Sequence, residues 1–297
     1  MQTYMGFEYF LDPHKRIFWV FIISSFMMGY FYLQRGHKRA LFSKAIWGHP
    51  SAKLDYIYFV LMVLIKVFII LPLMFGAMKI ALETSAFLNN YFGLFESTRL
   101  WGKWSVMLLY TLAVFIFNDL TRYVLHRAMH EIPFLWRFHK VHHSARVLTP
   151  LTLYRVHPLE NLLFGLRYAL SIGLVTGAFL YWFKAYLGVY QILGVNTIAF
   201  IFMLFGSNLR HSHVPLGFFK WLEYVVISPK MHQMHHSKDA YNKNYGGYLS
   251  IWDHIFKTAS FSQGVSNLRF GLARDEMKNY QSLKGLFLYP LGFKGKK

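Results

Sequence analysis

The sequence predicts an all-α polytopic membrane protein of about four to five membrane helices, carrying a cytoplasmic, helical, histidine-rich cap that binds metal. Three observations predict it. Apolar residues make up 55% of the 297-residue chain and charged residues only 15%, a balance shifted away from soluble domains. Long runs lack charge altogether. The pattern His-x-x-His-His occurs twice, as His139-Lys-Val-His142-His143 and His232-Gln-Met-His235-His236, and is accompanied by His126-Arg-Ala-Met-His130. Random placement of 15 histidines would give about 0.04 matches to that pattern.

The membrane segments follow from the charge-free runs. Residues 17 to 33 and 185 to 209 carry no charged side chain and are long enough to cross a hydrocarbon core as helix. Residues 56 to 82 also suffice, with Lys66 required to snorkel or to face protein. Residues 104 to 118 and 160 to 183 are weaker candidates. The last two segments would form a hairpin around Tyr181 to Tyr186. No cleavable signal peptide is expected, because the first apolar run starts late and lacks a small-residue cleavage site.

The net charge of +19 suits either nucleic-acid binding or basic cytoplasmic loops, and the apolar runs favour the loops. Gln34 to Lys53 contains Arg35, Lys38, Arg39, Lys44 and Lys53 without an acid, which assigns that loop to the cytoplasm. Counting crossings from there puts every histidine cluster on the cytoplasmic side of a multi-pass protein, in the bacterial inner membrane rather than the endoplasmic reticulum. One integral membrane domain over residues 1–297 is expected. Its histidine-box region covers about 115–258, and a cytoplasmic tail follows over about 262–297.

With no cysteine in the chain, thiolate metal sites, disulfides and a cysteine nucleophile are excluded. Imidazole is the abundant ligand that remains, suited to iron, zinc, copper or nickel. Positions i, i+3 and i+4 of a helix share a face, so each box projects three rings to one side. Eight box histidines, His126, His130, His139, His142, His143, His232, His235 and His236, exceed the three or four ligands of one tetrahedral zinc. Two metals are the simpler reading. Asp119 recurs in helical register with His126 and His130, and Pro133 closes that helix; Pro150 stops the next, and Pro229 opens the helix of the last box. Carboxylates that could orient ligand rings are Asp119, the foremost, with Glu160, Asp239 and Asp253. His14, His37 and His49 read as interfacial residues and His254 as a structural one near Trp252.

These boxes resemble those of the fatty acid hydroxylase/sterol desaturase superfamily of integral membrane di-iron oxygenases. So do Arg127 after His126, Ser144 after His143, Arg155-Val-His157-Pro158-Leu159-Glu160, and the run from His235-His236-Ser237 through Asn244-Tyr245-Gly246 to Ser250-Ile-Trp252-Asp253. The resemblance covers about residues 115 to 258. It implies two irons held by eight or more histidines, with O2 as co-substrate, acting to hydroxylate, desaturate or oxidatively cleave a lipid. Carried over to this chain, the ligands are the eight box histidines with His157 and His211 added. In Asn208-Leu-Arg-His211-Ser-His213 the family more often has asparagine at 213, which leaves open which histidine binds, with His211 favoured and His213 placed behind the ligands. There is no His-Pro-Gly-Gly haem segment and no Gly-x-Gly-x-x-Gly, so electrons are expected from a separate donor, of cytochrome or ferredoxin type by the resemblance. A polytopic metal transporter and a membrane zinc hydrolase are the rival readings. Neither motif nor placement favours them: the chain has no His-Glu-x-x-His, and its histidines lie outside the apolar runs.

Overall fold

A computed structural model describes residues 8–33, 41–71, 76–95, 101–183 and 187–293. Arg35, His37, Lys38 and Arg39 of the basic loop, and the centre of the expected hairpin at 184–186, lie outside the described residues. The described chain is mainly helical: α1 Trp19–Tyr32, α2 Pro50–Ile65, α3 Ala77–Phe92, α4 Lys103–Glu131, α5 Pro133–His143 and α6 Pro158–Phe183. A small antiparallel pair, β1 Gln191–Ile192 and β2 Val195–Asn196, leads into α7 Thr197–Leu204, and α8 Pro229–His236 carries the last box.

Two of these helices, α4 and α6, are long and apolar enough to cross a membrane. Only 28% of each apolar window is buried within the chain, whereas a soluble core helix would be largely covered. The 29 residues of α4 make one continuous rod of roughly 43 Å, which carries Asp119, His126 and His130 on one buried stripe, as the register predicted. Its end is set by Pro133, which starts α5 at its first position rather than closing α4 itself.

Three expected membrane segments differ from single crossing helices. Residues 185–209 hold the β1–β2 turn, an eight-residue α7 and a 3-10 turn over Ser207–His211, so the run is broken. At about 1.5 Å per residue, α7 is far too short to span. The cause is local: Gly194 takes φ 80° in the turn, and the Asn196 side chain caps α7 by accepting from the Ile198 and Ala199 amides. Over 56–82, α2 gives way to a π-helical turn at Lys66–Ile70 and α3 starts anew at Ala77. Gly76 stands at the cap position before α3. In residues 17–33, α1 has only 14 residues.

The long helices approach closely where side chains are small. On α6, a Cβ at Gly173 would lie 2.6 Å from Ile80, and one at Gly177 would lie 2.5 Å from the Ala81 carbonyl of α3. This spacing of four admits backbone-to-backbone contact. Polar pairs link α4 to α6: Tyr110 with Thr176 and Thr121 with Ser171, each 2.7 Å apart. The C-terminal segment packs on the body rather than trailing from it. Leu272, Met277, Tyr280 and Leu286 form one core cluster with Tyr58 and Met62 of α2 and Val141 of α5.

Candidate metal centre

Nine buried histidines converge from four places: the end of α4, α5, the 207–211 turn and α8. They form two groups. His126, His130, His139, His143 and His235 make one, and His142, His211, His232 and His236 make the other; within each group the ligand nitrogens all lie within 4.8 Å of one another. The boxes do not present all three rings to a single centre. In α5, His139 and His143 enter the first group and His142 the second; in α8, His232 and His236 enter the second and His235 the first. The two groups adjoin, with the His143 and His236 rings stacked at 4.6 Å.

In the second group, the Nε2 atoms of His211 and His142 are 3.3 Å apart, those of His211 and His236 3.1 Å, and those of His211 and His232 and of His232 and His236 3.2 Å. The His211, His232 and His236 nitrogens thus form a near-equilateral triangle, and edges of this length are those of nitrogens about 2.0 Å from a shared tetrahedral centre, the length of a metal–imidazole bond. Six ring nitrogens of the two groups also lack a partner. Both ring nitrogens of His130 and His143, Nδ1 of His232 and Nε2 of His235 are buried without a hydrogen bond. Buried polar atoms left open in this number are costly unless a cation takes their lone pairs. Burial pushes His139 and His142 down to about 3, so both are neutral at pH 7, the form that donates to metal. The residues therefore fit an all-imidazole pair of metal sites.

Hydrogen bonds on the far nitrogens fix several rings. Nδ1 of His126 donates to the Tyr245 carbonyl at 2.7 Å, Nδ1 of His235 to Lys243 at 2.8 Å, and Nδ1 of His142 to Arg155 at 3.2 Å. Nδ1 of His139 donates to Glu160 Oε1 at 2.7 Å. Each bond leaves Nε2 facing the group.

The expected carboxylate partners resolve differently. Among them Glu160, not Asp119, reaches a ligand ring. Asp119 is fully buried but accepts from the Tyr248 and Leu249 amides and the Trp252 indole, so it pins the 245–252 loop to α4. Asp253 accepts from the Tyr245 and Gly246 amides and Thr258 Oγ1, and so supports the carbonyl that holds His126. Asp239 is an exposed partner of Arg269 at 2.6 Å and touches no histidine, because the chain has left α8 by Ser237. A Cβ at Gly247 would sit 2.6 Å from Asp119 Oδ1, which explains a glycine after the Asn244-Tyr245-Gly246 run.

His211 lies inside the second group. His157 lies outside both: its Nε2 donates to the Phe287 carbonyl and its Nδ1 accepts from the Leu159 amide, which occupies both nitrogens. His213 likewise belongs to neither group. Among the histidines read as peripheral, His49 caps α2 and His254 stacks on Tyr224, while His14 bonds Asp12.

Three supporting residues carry no sequence signal of the histidine kind. Arg155 makes a buried ion pair with Asp55 of α2 and also donates to Ser51 and Ser144. Glu223, fully buried, accepts from Ser228 Oγ at 2.5 Å, and that same oxygen caps α8 by accepting from Met231. Arg210 donates to the Gly247 and Ile227 carbonyls. Arg155 and Arg210 stand within the stretches quoted for the resemblance, and for Glu223 a single charge among apolar neighbours was the available hint.

A cavity of about 620 Å³ opens beside both groups, walled by His126, His139, His142, His211 and His232 on one side and by Leu153, Phe164 and Tyr168 among its apolar residues. Its volume lies in the range of small-molecule sites.

Residues 111–258 match the fatty acid hydroxylase family model. The chain belongs to the fatty acid hydroxylase/sterol desaturase superfamily. It is 31% identical over 53% of its length to an ornithine lipid hydroxylase of Rhizobium tropici, of which it covers 44%. It is 25% identical over 54% of its length to an alkylglycerol monooxygenase of Caenorhabditis elegans, covering 29% of that protein. A Delta(7)-sterol 5(6)-desaturase of Gibberella zeae is 27% identical over 52% of the chain, with 42% covered. The matched region thus spans less than half the length of each of these relatives. No solved structure matches the chain.

Proposed function

We propose that this chain is an O2-dependent, non-haem di-iron oxidoreductase that hydroxylates or desaturates a lipid drawn from the bilayer. The observation that carries the reading is the pair of buried imidazole groups, with nitrogens left open, forming part of the wall of a cavity of about 620 Å³. Homologous lipid hydroxylases and desaturases support the reaction class.

His126, His130, His139, His143 and His235 would hold one iron, and His142, His211, His232 and His236 the other. Iron in these sites supplies the reduction of O2 and the removal of hydrogen from an unactivated C–H bond. The protein supplies placement. Nδ1 bonds to Glu160 and to three backbone carbonyls hold ring tautomers, and the apolar part of the cavity wall, Leu153, Phe164 and Tyr168, aligns a lipid chain against the rings. The site belongs at the cytoplasmic face of a multi-pass membrane protein of the bacterial inner membrane, and its electrons come from a separate cytochrome- or ferredoxin-type donor.

A zinc hydrolase would need one group of three or four ligands, and a transporter would hold exchangeable metal. Metal analysis of the purified protein is expected to give two irons per chain. Lipid profiling of cells expressing the wild type or His235→Ala, in a host that supplies electrons, should show an oxidised lipid only with the wild type. One zinc per chain, or identical lipid profiles, rejects the oxygenase reading.

A further inference from the structure

The cavity beside the histidines is charged in an uneven way. Five cationic side chains, Lys15, Arg16, Lys66, Arg122 and Arg167, meet three carboxylates there, Glu8, Asp12 and Glu160. Two of the acids are engaged elsewhere: Asp12 pairs with Lys15 and His14, and Glu160 accepts from His139. Glu8 lies within ion-pair distance of none of the arginines. Among the described residues, no carboxylate pairs with Arg16, Arg122 or Arg167.

Arg16 is buried, and Arg122 and Arg167 are half-buried. Arg16 is 9% exposed, and no hydrogen bond is made by its side chain among the described residues. Arg167 donates only to neutral acceptors, Asn118 and Thr121, and its Nε is buried without a partner. Arg122 lies within electrostatic reach of both Arg16 and Arg167, and the buried Arg210 stands behind Arg16 and Arg122. Guanidinium keeps its charge in proteins, and the one buried carboxylate within electrostatic reach of Arg122 and Arg167, Asp119, pairs with neither and is taken up by two backbone amides and an indole, so the cluster keeps an excess of positive charge. Its planar donors match an oxyanion.

We propose that the cavity binds its substrate by an oxyanion head, a carboxylate or a phosphate, held on Arg16, Arg122 and Arg167. This rests on reading the cavity as the substrate site of the metal centre. Arg122 precedes His126 by one helical turn, about 6 Å along α4, and both line the same cavity. An anchored head therefore places the nearby carbons of its chain, rather than a distant methyl end, against the histidine wall. The substrate class is an anionic amphiphile oxidised close to its head.

The test measures binding to the full-length, metal-loaded protein in nanodiscs of neutral lipid. The probes share one chain: oleate, 1-oleoyl lysophosphatidate and the uncharged monoolein. At least one anion should bind about tenfold or more tightly than monoolein, and the tighter of the two identifies carboxylate or phosphate. Arg16→Gln and Arg122→Gln should each lose that preference while keeping wild-type iron content, which reports an intact fold, and Arg16→Lys should retain part of it. Equal binding of monoolein and both anions overturns the proposal, as does a preference that survives both glutamine variants. A wild type that prefers anions but holds no iron keeps the anion site and rejects the oxygenase reading. Iron without anion preference does the reverse.

Discussion

The two histidine groups are built from the same helices to different specifications. The first gathers five imidazoles and three of them are oriented from behind, by Tyr245, Glu160 and Lys243. The second gathers four, with His142 alone oriented this way among the described residues. Each His-x-x-His-His box serves both. On a helix, residue i+4 stands about 40° from residue i, whereas i+3 stands about 60° to the other side. A box packed between two neighbouring centres therefore sends its i and i+4 rings to one and its i+3 ring to the other. Because α5 and α8 make opposite choices, the pair of boxes ties both centres into one unit.

The largest expected effect comes from removing a ligand from the smaller group. His211→Ala leaves three nitrogens and should lower the metal content from two per chain to one, with loss of product. His143→Ala takes one nitrogen from five, so more of its metal should remain, although product formation also falls. Metal per chain by mass spectrometry decides between them. Equal metal loss in the two variants would break the distinction between the groups.

Much of this arrangement was legible in the chain. Three imidazoles at i, i+3 and i+4 demand a common helix face, and the eight box residues all lie in the two groups. The split of each box between centres was not legible, because it depends on where the neighbouring helices stand. Arg155-Val-His157-Pro158-Leu159-Glu160 shows the same limit. Every polar residue in it has a task, but sequence could not allocate them: Arg155 pairs with Asp55 about a hundred residues away, His157 bonds Phe287, and Glu160 orients His139. The expected segments 104–118 and 160–183 fall on α4 and α6, whereas the run 185–209 is not one helix, for a different reason. Hydropathy measures apolarity, and the run 185–209 carries no charge while its Gly194 and Asn196 bend and restart the chain.

Glu160 gives the next effect in size and sharpens what orientation contributes. Glu160→Gln retains an acceptor for His139 Nδ1 and loses the charge, so activity should fall about tenfold; Glu160→Leu removes both, and the loss should approach about a hundredfold. The measurement is product formation at matched iron content, together with iron retention against a chelator. A Leu variant that retains first-group iron and activity at the wild-type level would mean that five nitrogens hold their centre without help from behind, which removes one of the two differences between the groups.

The smallest effect is expected at Asp239, which stands only three residues beyond His236 and yet belongs to neither centre. Its carboxylate meets Arg269 in solvent, next to the bridge between Ser237 and Phe270 that fastens the C-terminal segment to the end of α8. An exposed pair of this kind contributes little, since water and salt screen it. Asp239→Asn should therefore keep two metals per chain and product formation within about twofold of wild type, measured in parallel with His211→Ala. The contrast isolates the variable at issue. Both residues are polar and close to α8, and they differ in whether the side chain belongs to a histidine group or meets Arg269 away from it. A substantial metal loss in Asp239→Asn would show that the C-terminal segment clamps His235 and His236 from outside, and the second centre would then depend on that clamp as well as on its four rings.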